Sequence, residues 1–190
     1  MRITDAQWIP ANLHQTWQAL FDPSVLRQCM PGLVKTAATS ATDYQFALRA
    51  SVGGVKSDYD GELLLCDVDQ PNSFCVAFES KGDATGLVIG NGRVELSEKD
   101  GGTRIAYSLE LRTGGLLAQM GEPAVQKAVE HLFERFFNKF IDYAARLPRE
   151  APPPKPEPEE PSKGLIHSNW SWLLVAVLIA ALATYHYIKH

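Results

Sequence analysis

The chain has 190 residues, 45% of them hydrophobic and 21% charged, with a formal net charge of −4 at pH 7. That length allows one ordinary domain plus an appendage, and the apolar fraction is enough for a core. The absence of a basic excess argues against nucleic acid or anionic lipid as the main partner, and three cysteines (Cys29, Cys66 and Cys75) are too few for a disulfide scaffold.

In chain order, residues 2–9 read as a first strand. Asn12 is placed to cap a helix over residues 13–21, Asp22-Pro23 stops it, and Pro23 opens a second short helix through Cys29. Pro31-Gly32 marks a turn. From there the period is two. Tyr44, Phe46, Leu48 and Ala50 alternate with Gln45, Ala47, Arg49 and Ser51, and Ile105, Tyr107, Leu109 and Leu111 alternate with polar or small partners. This predicts a half-buried antiparallel sheet of about six strands after the first, apolar inside and polar outside. Residues 61–67 and 73–80 form a hairpin around Asp69-Gln70-Pro71-Asn72. Its register puts Leu63, Leu65, Phe74, Val76 and Phe78 on one face and sets Cys66 against Cys75 on the other. Asn91-Gly92 and Gly101-Gly102 are read as further turns. Gly82, Gly86 and Gly90 lie in a strand region, where glycine permits bulges or bends.

Residues 119–147 are the long helical stretch of the domain. Val129, Leu132, Phe133, Phe136, Phe137, Phe140, Ala144 and Leu147 recur at helical spacing as one wide apolar stripe. The segment before it, from Thr113 to Pro123, carries Gly114, Gly115, Leu116, Leu117, Met120 and Gly121. It reads either as packing beneath the helix start or as a glycine-hinged lid at a cavity mouth. The fold class is α+β: a curved antiparallel sheet gripping a long C-terminal helix. Small grips of this type often keep a ligand cavity.

The domain is expected over residues 1–149, followed by a linker over 150–164 and an anchor over 165–190. The linker holds six prolines. They favour extended polyproline II, which at about 3.1 Å per residue spans roughly 40 Å. The anchor has no Lys, Arg, Asp or Glu between Gly164 and Ile188, with Trp170 and Trp172 at one end and Tyr185 and Tyr187 at the other. Aromatics at both ends suit membrane interfaces, and a helix over 170–187 would be about 27 Å long against a hydrocarbon core of roughly 30 Å. The start, Met1-Arg2-Ile3-Thr4-Asp5, lacks the apolar run of a signal peptide. The expected arrangement is a single-pass anchor in the inner (cytoplasmic) membrane with the domain in the cytoplasm.

Chemistry-bearing motifs are sparse. His14 and His131 lack metal-ligand spacing, and there is no G-x-S-x-G, phosphate loop or dinucleotide fingerprint. No catalytic residue, metal site or covalent cofactor is expected, and the chain reads as a non-enzyme.

Several pieces carry a resemblance: Phe21-Asp22-Pro23, Met30-Pro31-Gly32, Val52-Gly53-Gly54-Val55-Lys56 with Tyr59-Asp60-Gly61, Gly82-Asp83-Ala84-Thr85-Gly86, Gly102-Thr103, Gly114-Gly115-Leu116-Leu117-Ala118-Gln119-Met120-Gly121, and Phe136-Phe137-Asn138-Lys139-Phe140. In this order and spacing the chain resembles the carbon monoxide dehydrogenase CoxG family of the START-like (SRPBCC) helix-grip superfamily. The resemblance implies a seven-stranded sheet around an apolar cavity. It also implies an accessory role for a molybdenum hydroxylase of the carbon monoxide dehydrogenase type, with membrane attachment and handling of a membrane quinone. The expected apolar lining is Phe46, Leu48, Leu63, Phe74, Phe78, Leu109, Phe133, Phe136, Phe137 and Phe140, and Tyr44, Tyr59 and Tyr107 are the candidates to meet a quinone head. The competing readings are a recruitment adaptor with a filled core, and a START-like enzyme. The latter needs titratable groups inside the cavity, where the alternation pattern places few.

Overall fold

The computed structural model describes residues 1–148. The linker over 150–164 and the anchor over 165–190 lie outside the described residues, and Trp170, Trp172, Tyr185 and Tyr187 with them. Among the described residues, no helix is long and apolar enough to cross a membrane.

The strands are β1 (Arg2–Ile9), β2 (Leu33–Ala38), β3 (Asp43–Val52), β4 (Val55–Asp69), β5 (Ser73–Gly82), β6 (Gly86–Lys99) and β7 (Gly102–Thr113). They form one sheet in the order β1-β7-β6-β5-β4-β3-β2, with every pair antiparallel. From β2 to β7 the sheet is a meander, which short turns can close. β1 returns to the far edge beside β7. Helices α1 (Leu13–Phe21) and α2 (Pro23–Cys29) follow β1, and α3 (Leu116–Met120) and α4 (Glu122–Ala144) follow β7.

The helix starts follow the expected capping chemistry. Asn12 Oδ1 accepts from the Gln15 amide at 2.8 Å, and Asp22 Oδ1 accepts from the Ser24 amide at 2.7 Å with Pro23 in the first turn of α2. α1 sits on the sheet through an aromatic trio: Trp17 is 5.6 Å from Phe74 and Phe21 is 5.1 Å from Phe74, centroid to centroid. α2 touches both β2 and α4.

Two expectations are corrected. Asn91-Gly92 is not a turn but lies inside β6, paired on both sides: Gly92 faces Val76 on β5 and Leu109 on β7. Pairing from two neighbours overrides a local turn signal. The helical stretch is also two helices, not one from 119 to 147. Gly121, at φ +83, separates the short α3 from α4, and Pro123 begins the new helix.

Buried side chains fall into two clusters. The larger joins Ile3, Ile9, Trp17, Val25, Phe74, Ile105, Tyr107, Leu109, Phe136, Phe137 and Phe140 with their neighbours. The smaller holds Val52, Tyr59, Leu117 and Val125. Met1, Val88 and Val129 are half-buried and pack against both.

Candidate ligand-binding site

The register fixes which residues share the inner face. On β7 these are Ile105, Tyr107, Leu109 and Leu111, opposite Leu96, Val94, Gly92 and Gly90 of β6. Further across come Phe74, Val76 and Phe78 of β5, Tyr59, Gly61, Leu63 and Leu65 of β4, and Tyr44, Phe46 and Leu48 of β3. Two glycines make room for rings. An atom at the Cβ position of Gly61 would fall 2.6 Å from the Phe46 ring, and one at Gly90 would overlap the Phe78 ring. These glycines serve close approach of neighbouring side chains, and the register beside them runs without a bulge.

The thirteen expected cavity residues divide by cover. Phe74, Tyr107, Leu109, Phe136, Phe137 and Phe140 are buried in the large cluster, and Tyr59 is buried in the small one. Tyr44, Leu63, Phe78 and Phe133 are half-buried against the large cluster, Leu48 is half-buried against the small one, and Phe46 is half-buried and belongs to neither. The rings over α4 are packed on one another. Tyr107 stacks on Phe137 at 5.6 Å and 14°, Phe133 lies 5.2 Å from Tyr107, and Phe136 stacks on Phe140 at 5.5 Å. A band of incompletely covered apolar groups therefore crosses the middle of the inner face, from Tyr44 and Leu48 through Leu63 and Phe78 to Phe133.

A depression of about 370 Å³ opens elsewhere, on β2–β4, lined by Lys35, Gln45, Phe46, Ala47, Asp60, Gly61 and Glu62. Only Phe46 of the expected lining borders it. Lys35, Gln45, Ala47, Asp60 and Glu62 belong to the outer face, so this hollow is polar and open, unsuited to an oily guest.

The three tyrosine hydroxyls have different commitments. Tyr59 Oη accepts from Thr85 Oγ1 at 2.7 Å, deep in the small cluster. Tyr107 Oη donates to Asp5 Oδ2 at 3.5 Å, and burial, with Asp5 beside it, pushes the phenol up to about 12. Among the described residues the Tyr44 hydroxyl has no hydrogen-bond partner, which leaves it available to a guest.

At one end of the sheet, three glycine-bearing segments meet that the sequence presents as unrelated. In the β5–β6 turn, Asp83 Oδ1 accepts from Ser57 Oγ at 2.7 Å and from the amides of Asp58 and Ala84 at 3.0 and 2.7 Å. The Ser57 hydroxyl and those amides hold the Asp83 carboxyl below the usual range. The carbonyl of Thr85 accepts from the Leu117 amide at 3.0 Å. Gly86, at φ +107, lies so close to the next segment that a Cβ there would be 2.5 Å from the Gly114 carbonyl oxygen and 3.1 Å from Gly115 Cα. A Cβ on Gly53 of the β3–β4 turn would meet Met120 Sδ at 3.3 Å. Leu117 is thereby 1% exposed and plugs the small cluster, whereas Leu116 is 38% exposed. Sequence patterning does not single out Thr85, Ser57 and Asp83 for this role. Their only signal is the Gly82–Gly86 piece, which does not say what it touches.

His14 and His131 are both exposed; one meets Gln18 Nε2 at 2.9 Å and the other lies 3.5 Å from Glu134. Among the described residues no group of three or more His, Cys, Asp or Glu could hold a metal ion.

The described fold is similar to two solved structures. One is a conserved protein from Geobacillus kaustophilus, 22% identical with a TM-score of 0.72 over 77% of this chain and 96% of that one. The other is a START superfamily protein from Mycobacterium smegmatis, 9% identical with a TM-score of 0.58 over 76% and 97%. At such identities the likeness shows a START-like fold. No curated protein matches the sequence. The family model for the carbon monoxide dehydrogenase protein CoxG matches residues 7–145. That stretch runs from β1 to the end of α4 and takes in every glycine segment of the joint, so the chain belongs to the carbon monoxide dehydrogenase CoxG family.

Proposed function

We propose that the chain is a membrane-tethered accessory protein of a molybdenum hydroxylase of the carbon monoxide dehydrogenase type. It acts by binding, not catalysis: it takes a hydrophobic ligand, a membrane quinone, between the inner face of the sheet and α4. The observation that carries this reading is the half-covered apolar band with the unpartnered Tyr44 hydroxyl at its β3 end. A prenylated quinone is nearly insoluble in water. At about 25 cal/mol per Å², covering a few hundred Å² of its surface contributes several kcal/mol before ordering costs. The Tyr44 hydroxyl supplies a donor for a quinone carbonyl. The proline-rich stretch and the apolar, aromatic-flanked tail support a tether that keeps this surface beside the membrane in which quinones dissolve.

Native mass spectrometry of the full chain, purified from quinone-containing cells, tests the proposal: a co-purifying quinone is expected, and a consistently empty protein would defeat it. Tyr44→Phe should leave folding intact and weaken binding by about tenfold, the loss of one hydrogen bond, in a fluorescence titration with a soluble quinone.

A second reading, an adaptor that recruits the enzyme without a ligand, draws on the ring stack of Tyr107, Phe133 and Phe137, which fills much of the space beneath α4. Leu109→Trp separates the two. A carrier loses its ligand; an adaptor keeps its partner and had no ligand to lose.

A further inference from the structure

Cys66 and Cys75 face each other across β4 and β5. They lie on the side of the sheet away from α4, both half-buried free thiols outside the two clusters. Directly opposed residues of an antiparallel pair have Cα atoms about 4.5–5.5 Å apart, inside the roughly 4.4–6.8 Å that a disulfide bridges. The register shifts just after Cys66, and Asp67 turns to φ +47. The ladder is therefore interrupted where a sulfur would need to move.

The pair is chemically unequal. Arg93 lies opposite Cys75 on β6 and brings Nη1 to 3.8 Å from Cys75 Sγ, while its Nε donates to Glu95 Oε1 at 2.8 Å. A guanidinium beside a sulfur favours the thiolate, which is the nucleophilic form. Cys66 has no such neighbour, and burial followed by the adjacent Cys75 pushes its thiol up. The third cysteine, Cys29, is fully buried in the large cluster and far from this chemistry.

We infer that Cys75 and Cys66 form a peroxide-responsive dithiol, in which Cys75 attacks and Cys66 resolves, closing a disulfide across the β4–β5 hairpin. The Cys75 thiolate attacks one oxygen of hydrogen peroxide and the O–O bond breaks. Cys75 becomes a sulfenic acid, and the departing hydroxide takes up a proton as water. The Cys66 sulfur then displaces the hydroxyl from Cys75, forming the S–S bond, and the Cys66 proton leaves with that hydroxyl as a second water. Two thiols lose two electrons and one peroxide gains them. The inference does not depend on the ligand reading, because the pair lies on the opposite side of the sheet from the apolar band.

The test uses the reduced full chain in mild detergent, treated with one equivalent of hydrogen peroxide, alkylated under denaturing conditions and mapped by mass spectrometry. A Cys66–Cys75 linked peptide, two hydrogens lighter than the free pair and reversed by dithiothreitol, is expected with Cys29 alkylated. Arg93→Gln should slow bridging by about tenfold, the effect of roughly one unit in a thiol pKa, and Arg93→Lys should recover most of the rate. Cys66→Ser should leave a Cys75 sulfenic acid that dimedone captures, whereas Cys75→Ser should leave Cys66 unlabelled. Bridges to Cys29, intermolecular dimers as the main product, or equal rates in the urea-unfolded chain would overturn the proposal. Dimedone labelling at Cys66 in place of Cys75 would overturn the assignment of roles.

Discussion

The two apolar clusters are built on different principles. The large one is made of side-chain volume, with stacked rings from α4 and β7 and the Trp17, Phe21 and Phe74 trio beneath α1. The small one is made of backbone contact: Gly86 against Gly114 and Gly115, Leu117 held by the Thr85 carbonyl, and a carboxylate tying the β5–β6 turn to β4. Volume can be redistributed by repacking, whereas a backbone contact is kept or lost. The comparison teaches that global stability resides in the first and the placement of the helix entry in the second.

The most damaging test of that division is Phe140→Ala. Phe140 is 0% exposed, so losing its ring should cost about 3–5 kcal/mol and lower the urea midpoint of the whole domain. Leu117→Ala comes next, at about 2–4 kcal/mol. Its signature should be local: hydrogen exchange at residues 113–125 should quicken by more than the change in global stability, while amides of β7 keep pace with the urea midpoint. Equal effects on both regions would erase the distinction. Gly86→Ala should cost about 2 kcal/mol, because a side chain there faces both a positive φ and the Gly114 carbonyl. It should raise protease sensitivity near Gly115.

The smallest effect is in the pH profile of the same joint. The folded Asp83 carboxyl titrates below its unfolded value. Its stabilisation is therefore present above the ordinary carboxylate range and is lost as pH falls through the folded value. Urea midpoints measured from about pH 6 to about pH 3 should drop less steeply in Asp83→Asn than in the parent chain.

Much of this was legible in the sequence because the signals were local. Asn12 and Pro23 mark their helix starts, and the alternation through Tyr44–Ala50 and Ile105–Leu111 gives the inner face. The hairpin register that opposes Cys66 to Cys75 follows from the turn at Asp69–Asn72. What was not legible was non-local. Asn91-Gly92 carries a turn dipeptide, yet two neighbouring strands hold it in the ladder. Gly82, Gly86 and Gly90 read as bend residues, but what they admit is a hydroxyl, a carbonyl and a phenylalanine ring from elsewhere in the chain. The apolar lining was chosen by residue type and face, and type alone does not tell a ring locked into a stack from one left half-covered. Phe137 and Phe133 are one helical turn apart and differ in this way.

The Gly86 contact has an implication for how such a protein could be retuned. Atoms of the main chain meet there with nothing interposed, so the joint behaves like a pin of fixed length and cannot be lengthened to admit a bulkier guest. Any change in what the grip accommodates must come from trimming or enlarging Tyr44, Leu63, Phe78 and Phe133. An engineer seeking a different cargo should leave residues 82–86 and 114–121 untouched and vary only those four positions.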